Sequence, residues 1–311
     1  MLKQCLEMFE ILDCASANGN KVKELFQKYG NVDVQVSKIK GNNGSTDFVR
    51  ILIKGVNGKT EGGTSPTLGI TGRLGGLGAR PEITGFVSDG DGAFAALVAG
   101  LKILDMSNKG DALKGDVIVT THICPNAPTI PHYPVALMDS PVDTAIINEL
   151  EVKDEIDAVL SVDTTKGNKV LNSKGFAITS TVKEGYILKV SDDLLNIMMR
   201  VTGKMPVVLP ISMQDITPYG NGIYHLNSIM QPSVATKAPV VGVAITTEVP
   251  VAGCATGATH IYDIEKTSRY LVEVAKDFTS GLCNFFENEE FEKLVGLYGS
   301  MAHLQKNKIR R

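Results

Sequence analysis

Three apolar runs constrain this chain most: "GDVIVTTHICP" from Gly115, "DAVLSVDTT" from Asp157 and "APVVGVAITTEVP" from Ala238. They are rich in β-branched residues and do not alternate between apolar and polar. A strand with one wet face alternates, whereas a strand apolar throughout is covered on both faces, as at the centre of a parallel sheet. "VDVQVSK" from Val32 alternates strictly and predicts a half-exposed strand, with further extended segments at "FVRILIKG" and "SPTLGITG". Between these lie stretches of helical period. Leu2, Cys5, Leu6 and Phe9 make one stripe, and Val22, Leu25, Phe26 and Tyr29 a second. Phe94, Leu97, Val98, Leu101 and Leu104 follow, then Ile264, Tyr270, Leu271, Val274 and Phe278 near the end. Strands alternating with helices predict a three-layer α/β/α sandwich around a mixed, largely parallel sheet. With no repeat and no low-complexity linker, one domain over residues 1–311 is expected. A doubly wound parallel sheet is the alternative.

Composition narrows the partners. A net charge of −3 gives no reason to expect nucleic acid, and the basic "KNKIRR" from Lys306 reads as a solvated tail. No apolar run reaches membrane-spanning length, and "MLKQCLEMFEILDCA" carries acids where a secretory signal would be apolar. Five scattered cysteines without a CxxC pair read as reduced thiols, so a cytoplasmic protein is expected. The glycines of "GITGRLGGLGAR" follow a strand but lack the GxGxxG spacing, and "PEITGF" stands where a dinucleotide-binding motif requires a helix. A structural loop, or one that approaches a ligand closely, is the better reading.

The candidate chemistry lies at strand ends, where ligands collect in open α/β sheets. "SDGDGA" places Asp89 and Asp91 just ahead of a buried helix. One of them can cap it, since aspartate there accepts free backbone N–H groups, but capping does not need both. Gly90 and Gly92 are expected to turn the backbone sharply through positive φ. "DVIVTT" runs into His122 and Cys124, "DAVLSV" into Asp163, and a later loop into His260. Carboxylates with imidazoles can hold a divalent ion of the zinc, manganese or cobalt kind. Taken singly, each residue has a structural explanation: a cap, a turn former or a core histidine.

In order, these pieces resemble the co-catalytic zinc exopeptidases, a clan of metallo-aminopeptidases and carboxypeptidases. "SDGDGAFAALVAGLKIL" resembles the motif in which an aspartate bridges two metals ahead of a buried helix. "AVLSVDTT" resembles the strand with an aspartate ligand, and "GATHIYDIEKTSRYLVEVAKDF" the histidine ligand before a long helix. The resemblance implies Asp89 as the bridging ligand, with Asp163 and His260 as further ligands. More narrowly, "GRLGGLGARPEITGFVSDGDGA" and "TTHICPNAPTIPHYP" resemble an uncharacterised bacterial family, domain of unknown function 1177. The clan's first metal histidine is replaced by the segment Thr71–Leu74, and Asn126 and Ala127 stand where its paired glutamates would be. His122 and Cys124 are then the residues that could rebuild the ligand set.

Two functions are carried forward. One is a metal-dependent hydrolase of a small peptide-like or amide substrate, with zinc as the expected ion and with Asp91 or another carboxylate as base. The other is a non-catalytic protein of the same fold that binds a small ligand or assembles with partners, a second copy of itself included. Cys124 activated by His122 is a third route to catalysis, strained because neighbours on one strand face stand roughly 7 Å apart. Arg73 could bind a substrate carboxylate or pair with Asp91, and His225 could line a substrate pocket or sit on a helix surface. His132, between prolines, reads as a rigid loop residue.

Overall fold

The computed structural model describes residues 1–73, 76–79, 85–133, 136–223, 227–250 and 259–305. Two helices open the chain, α1 (Leu2–Leu12) and α2 (Gly19–Tyr29), followed by strands β1 (Asp33–Gly41), β2 (Gly44–Ile53) and β3 (Leu68–Gly72). Helix α3 (Asp91–Asn108) precedes β4 (Val117–Ile123), the short β5 (Thr129–Ile130) and β6 (Leu137–Met138), and α4 (Thr144–Glu151). Then come β7 (Ala158–Thr164), β8 (Gly175–Thr179), β9 (Val182–Lys183), β10 (Tyr186–Ile187), α5 (Asp192–Thr202) and β11 (Val208–Leu209). Strand β12 (Val240–Thr246) and helices α6 (Ile261–Thr279) and α7 (Asn288–Tyr298) close the fold.

The sheet runs β1-β2-β4-β3-β7-β12-β8-β11, with β9 beside β12 and β10 beside β9. Its centre, β4-β3-β7-β12, is parallel, while β1, β2 and the β12–β8 pair are antiparallel. The three non-alternating runs are β4, β7 and β12, and nearly every residue in them is buried. β1 forms an edge and is half exposed, as its alternation predicts. Helices cover both faces, giving the expected layered α/β/α architecture. The larger apolar cluster holds buried residues of α1, α2, α3, α5 and α6 on one face. The smaller gathers Ile118, Val159, Ala244, Ile229 and Met230 on the other, where α4 and the 3-10 turn Ser228–Val234 lie.

Local details depart from the sequence reading in four places. The buried face of α1 is Cys5, Met8 and Leu12, while Leu2 and Leu6 are exposed, because the helix is turned toward Phe86 and Phe94 of α3's side. Neither aspartate caps α3: its N-cap is Gly90, without a side-chain cap bond. Gly90 has φ −79°, and Gly92 is also not among the residues of positive φ, so the glycines do not serve a left-handed turn. They serve close approach instead. A Cβ on Gly92 would stand 2.4 Å from the Val162 carbonyl oxygen and 2.7 Å from that of Arg73. The fourth is α5, absent from the sequence reading despite Ser191 as its cap, Asp192 and Asp193 in its first turn, and left-handed Gly203 at its end.

Candidate functional site

The absence of a Cβ at Gly92 lets the start of α3 rest on the carboxyl ends of β3 and β7. The Arg73 amide donates to Val162 O at 2.7 Å, and the Thr164 hydroxyl donates to Ser88 O at 2.8 Å. These contacts bring the Ser88–Gly90 turn over the end of β7, so carboxylates from two elements meet at one rim. Asp163 is buried; it accepts from the Thr164 amide at 2.7 Å and from the Ser228 hydroxyl. Asp91, the first residue of α3, is also buried. It accepts from the Thr259 hydroxyl at 2.6 Å and faces the Lys166 ammonium at 3.5 Å. Asp89 keeps part of its surface open and accepts no hydrogen bond from the described residues.

Three carboxylates meet one ammonium here, and burial is the main influence on their protonation. Enclosure by protein, then the negative charges of Asp163 and Asp91, push Asp89 up to about 8, against a smaller opposing effect of Lys166. Burial lifts Asp91 to about 6, opposed by Lys166 and the Thr259 hydroxyl. Burial likewise lifts Asp163 to about 6, opposed by Ser228, the Thr164 amide and Arg73. A cation at this rim would relieve all three.

The imidazoles do not join the carboxylates in a ligand set. Thr71 lies opposite Thr120 on one side and Ser161 on the other, so His122 and Asp163, each two residues further on, share a sheet face. Strand β3 stands between them, however, which separates their backbones by roughly 10 Å. His122 is buried with its Nδ1 2.9 Å from Thr46 Oγ1, on the β2 side. His260 is the N-cap of α6 and is exposed, although its neighbour Thr259 touches Asp91. Among the described residues, no group of three His, Cys, Asp or Glu side chains is arranged to hold a metal ion. The described residues therefore assemble no closed tetrahedral zinc set. A hard divalent ion held by two carboxylates and water fits better, because the candidate ligand atoms at the rim are carboxylate oxygens.

The remaining candidates are placed as follows. Arg73 does not pair with Asp91. Its buried guanidinium binds Glu151 and donates to Asn148 Oδ1 at 3.0 Å, so it faces α4. Burial raises Glu151 to about 7, with Arg73 acting against the shift. Cys124 is buried just past β4, and desolvation raises its thiol, the opposite of what a nucleophilic thiolate needs. His132 is exposed between β5 and β6. His225, the segment "PEITGF" up to Thr84, and the tail from Lys306 lie outside the described residues.

A family model described as protein of unknown function (DUF1177) matches residues 37–308. The chain belongs to the DUF1177 family. The narrower resemblance read from its glycine-rich and "TTHICPNAP" segments is thereby borne out. No curated protein matches this DUF1177 chain by sequence. Among solved structures it is similar to the bottromycin maturation enzyme BotP in complex with Mn, with a TM-score of 0.52 and 16% identity, over 87% of this chain and 70% of that one. The likeness is one of fold.

Sequence reasoning missed Lys166, Ser228, Thr259 and the Asn148–Glu151 pair. Lys166 carried a usable signal, three residues past Asp163 on the loop leaving a central strand. Ser228, Thr259 and α4 reach the rim only through tertiary packing, and no spacing relates them to Asp89 or Asp163.

Proposed function

We propose that this DUF1177 protein is a metal-dependent hydrolase of a small peptide-like or amide substrate, working at the rim shared by Asp89, Asp91, Asp163 and Lys166. The observation behind this reading is the surplus of carboxylate over ammonium at the carboxyl ends of parallel strands. The fold shared with an Mn-bound maturation enzyme supports it. Asp89 and Asp163 would hold the ion, with manganese favoured over zinc by the oxygen donors. Such an ion polarises an amide carbonyl and acidifies bound water. Asp91, held by Thr259 and Lys166, orients the turn that carries Asp89 and is poorly placed to take a proton. Lys166 offers an ammonium beside the reacting centre. The test is turnover of a dipeptide and acyl-amide panel with added Mn2+, Zn2+ or Co2+. Metal-dependent turnover lost in Asp163→Asn and Asp89→Asn is expected; no turnover with any ion rejects the hydrolase.

A second reading keeps the fold for ligand binding without catalysis. Arg73 favours it: this residue stands in the segment where the resemblance puts a metal histidine, and its charge is engaged by Glu151. Ligand binding without turnover would select this alternative.

A further inference from the structure

A cavity of about 820 Å³ opens at the amino ends of β7 and β12, the sheet edge opposite the carboxylate rim, between the first turns of α5 and α7. Phe278, Phe285 and Phe286 make the apolar part of its wall. Five carboxylates line it against one lysine, Lys189. Acids in the first turn of a helix offset its dipole, and three of the five have partners. Asp157 pairs with Lys59 at 2.6 Å, Asp193 accepts from the Asn284 amide at 2.8 Å, and Glu287 pairs with Lys189 at 2.6 Å. Asp192 and Glu289 are exposed and form no hydrogen bond or ion pair among the described residues. The mouth is therefore short of positive charge.

Helix α7, whose first turn forms one side of this mouth, has no fully buried residue. Phe291 meets the rings of Tyr186 and Phe286 edge on, and the Tyr186 hydroxyl reaches the Leu294 and Gly299 carbonyls. After α7 the chain turns back across the fold. Gln305 Nε2 donates to Ser233 O at 2.7 Å and to Thr236 O at 2.6 Å, and Pro239, three residues past Thr236, stands in the cavity wall. The segment Lys306 to Arg311 carries four positive charges and one apolar side chain, Ile309. Six extended residues reach roughly 20 Å, whereas Thr236 and Pro239 are at most roughly 11 Å apart.

We propose that residues 306–311 fold back into this cavity, with Ile309 against the phenylalanine wall and the basic side chains among Asp192, Glu287 and Glu289. The tail then fastens α7 at its first turn. Guanidinium and ammonium groups match exposed carboxylates, and the tether holds the tail at an effective concentration on the order of millimolar, so weak contacts suffice. The exposed carboxylates nearer Gln305, Asp143 and Glu149, are only two, and no phenylalanine lines the cavity they border.

The experiment is zero-length cross-linking of the full chain with a water-soluble carbodiimide, which joins a lysine to a carboxylate in contact with it, followed by peptide mapping of the monomer fraction. The Lys189–Glu287 pair is the internal control. Lys306 or Lys308 should be joined to Asp192, Glu287 or Glu289 in dilute buffer, and at least about tenfold less in about 1 M salt, where the Debye length is about 3 Å. Melting gives a second readout. Neutralising the tail (Lys306→Gln, Lys308→Gln, Arg310→Gln and Arg311→Gln) should lower the melting temperature in dilute buffer by about 2 °C, and neutralising the mouth (Asp192→Asn with Glu289→Gln) by a similar amount. Combined, the two sets should lose clearly less than their sum, since both break one contact. Tail links to Asp143 or Glu149, tail links confined to a cross-linked dimer, no tail link at all, or strictly additive losses overturn the proposal. Neither measurement involves metal or turnover, so the outcome stands apart from the hydrolase reading.

Discussion

The Thr259 hydroxyl donates to the Asp91 carboxylate at 2.6 Å and ties the entry of α6 to the start of α3 across 168 residues of chain. Two helices that pack against each other in the core are thereby also joined at the rim. Thr259→Val should cost about 1.5–3 kcal/mol in urea unfolding, since a hydrogen bond to a charged acceptor is lost and the buried carboxylate is left short of donors. Thr259→Ser should keep most of the stability. Equal losses in the two variants would assign the effect to packing by the methyl group.

Metal-free stability should fall as pH rises from about 4 to about 8. The folded state holds protons on Asp91 and Asp163 to about 6, on Glu151 to about 7 and on Asp89 to about 8, whereas these groups ionise near 3.8 to 4.5 in the unfolded chain. The native state thus binds more protons throughout this window, so raising pH favours unfolding. Thermal melts in chelator should be higher at pH 5 than at pH 8, and Asp89→Asn should flatten the upper end. Added Mn2+ should raise the melting temperature most at pH 8, where its ligands are ionised. A shift that is absent, or unchanged in Asp89→Asn, removes Asp89 from the ligand set.

Arg73 holds the fold through Glu151. Arg73→Met should cost about 3–5 kcal/mol in guanidinium unfolding, because it strands a buried carboxylate. Adding Glu151→Leu should recover much of the loss. If Arg73→Met is stable and only weakens substrate, the guanidinium serves binding instead.

Gly92→Ala should destabilise by about 3 kcal/mol, as its methyl meets backbone oxygens that cannot move without shifting β3 and β7. Gly90→Ala should cost less, since its methyl meets the Phe86 ring, a side chain. Melting curves of the two variants decide; the reverse order would show that α3 can slide along the strand ends.

How much was legible beforehand follows from the physics of each element. β4, β7 and β12 were readable because burial on both faces requires an uninterrupted apolar run, which is a property of consecutive residues. α6 was readable from its stripe: Ile264, Tyr270, Leu271 and Val274 are all buried. α5 also carries its caps in the sequence, Ser191 at its start and Gly203 at its end, although only Leu194, Ile197 and Met198 of its residues are buried. The α1 stripe was misjudged because Leu2 and Leu6 satisfy a helical period equally well; which face goes inward depends on where α3 lies.

Sequence alone determined that Asp89, Asp91 and Asp163 would sit at strand or helix ends, since the neighbouring apolar runs stop there. It also placed His122 and His260 at such ends and suggested a shared ligand set. Tertiary structure decided otherwise for the imidazoles. β3 lies between β4 and β7, so His122 turns to Thr46, while His260 stays on the surface and its neighbour Thr259 takes the contact. Only tertiary structure supplied Lys166, Ser228 and the partners of Arg73. Chain order constrains which residues reach a sheet rim, but the direction and company of a side chain there depend on strand order and packing, which local sequence does not encode.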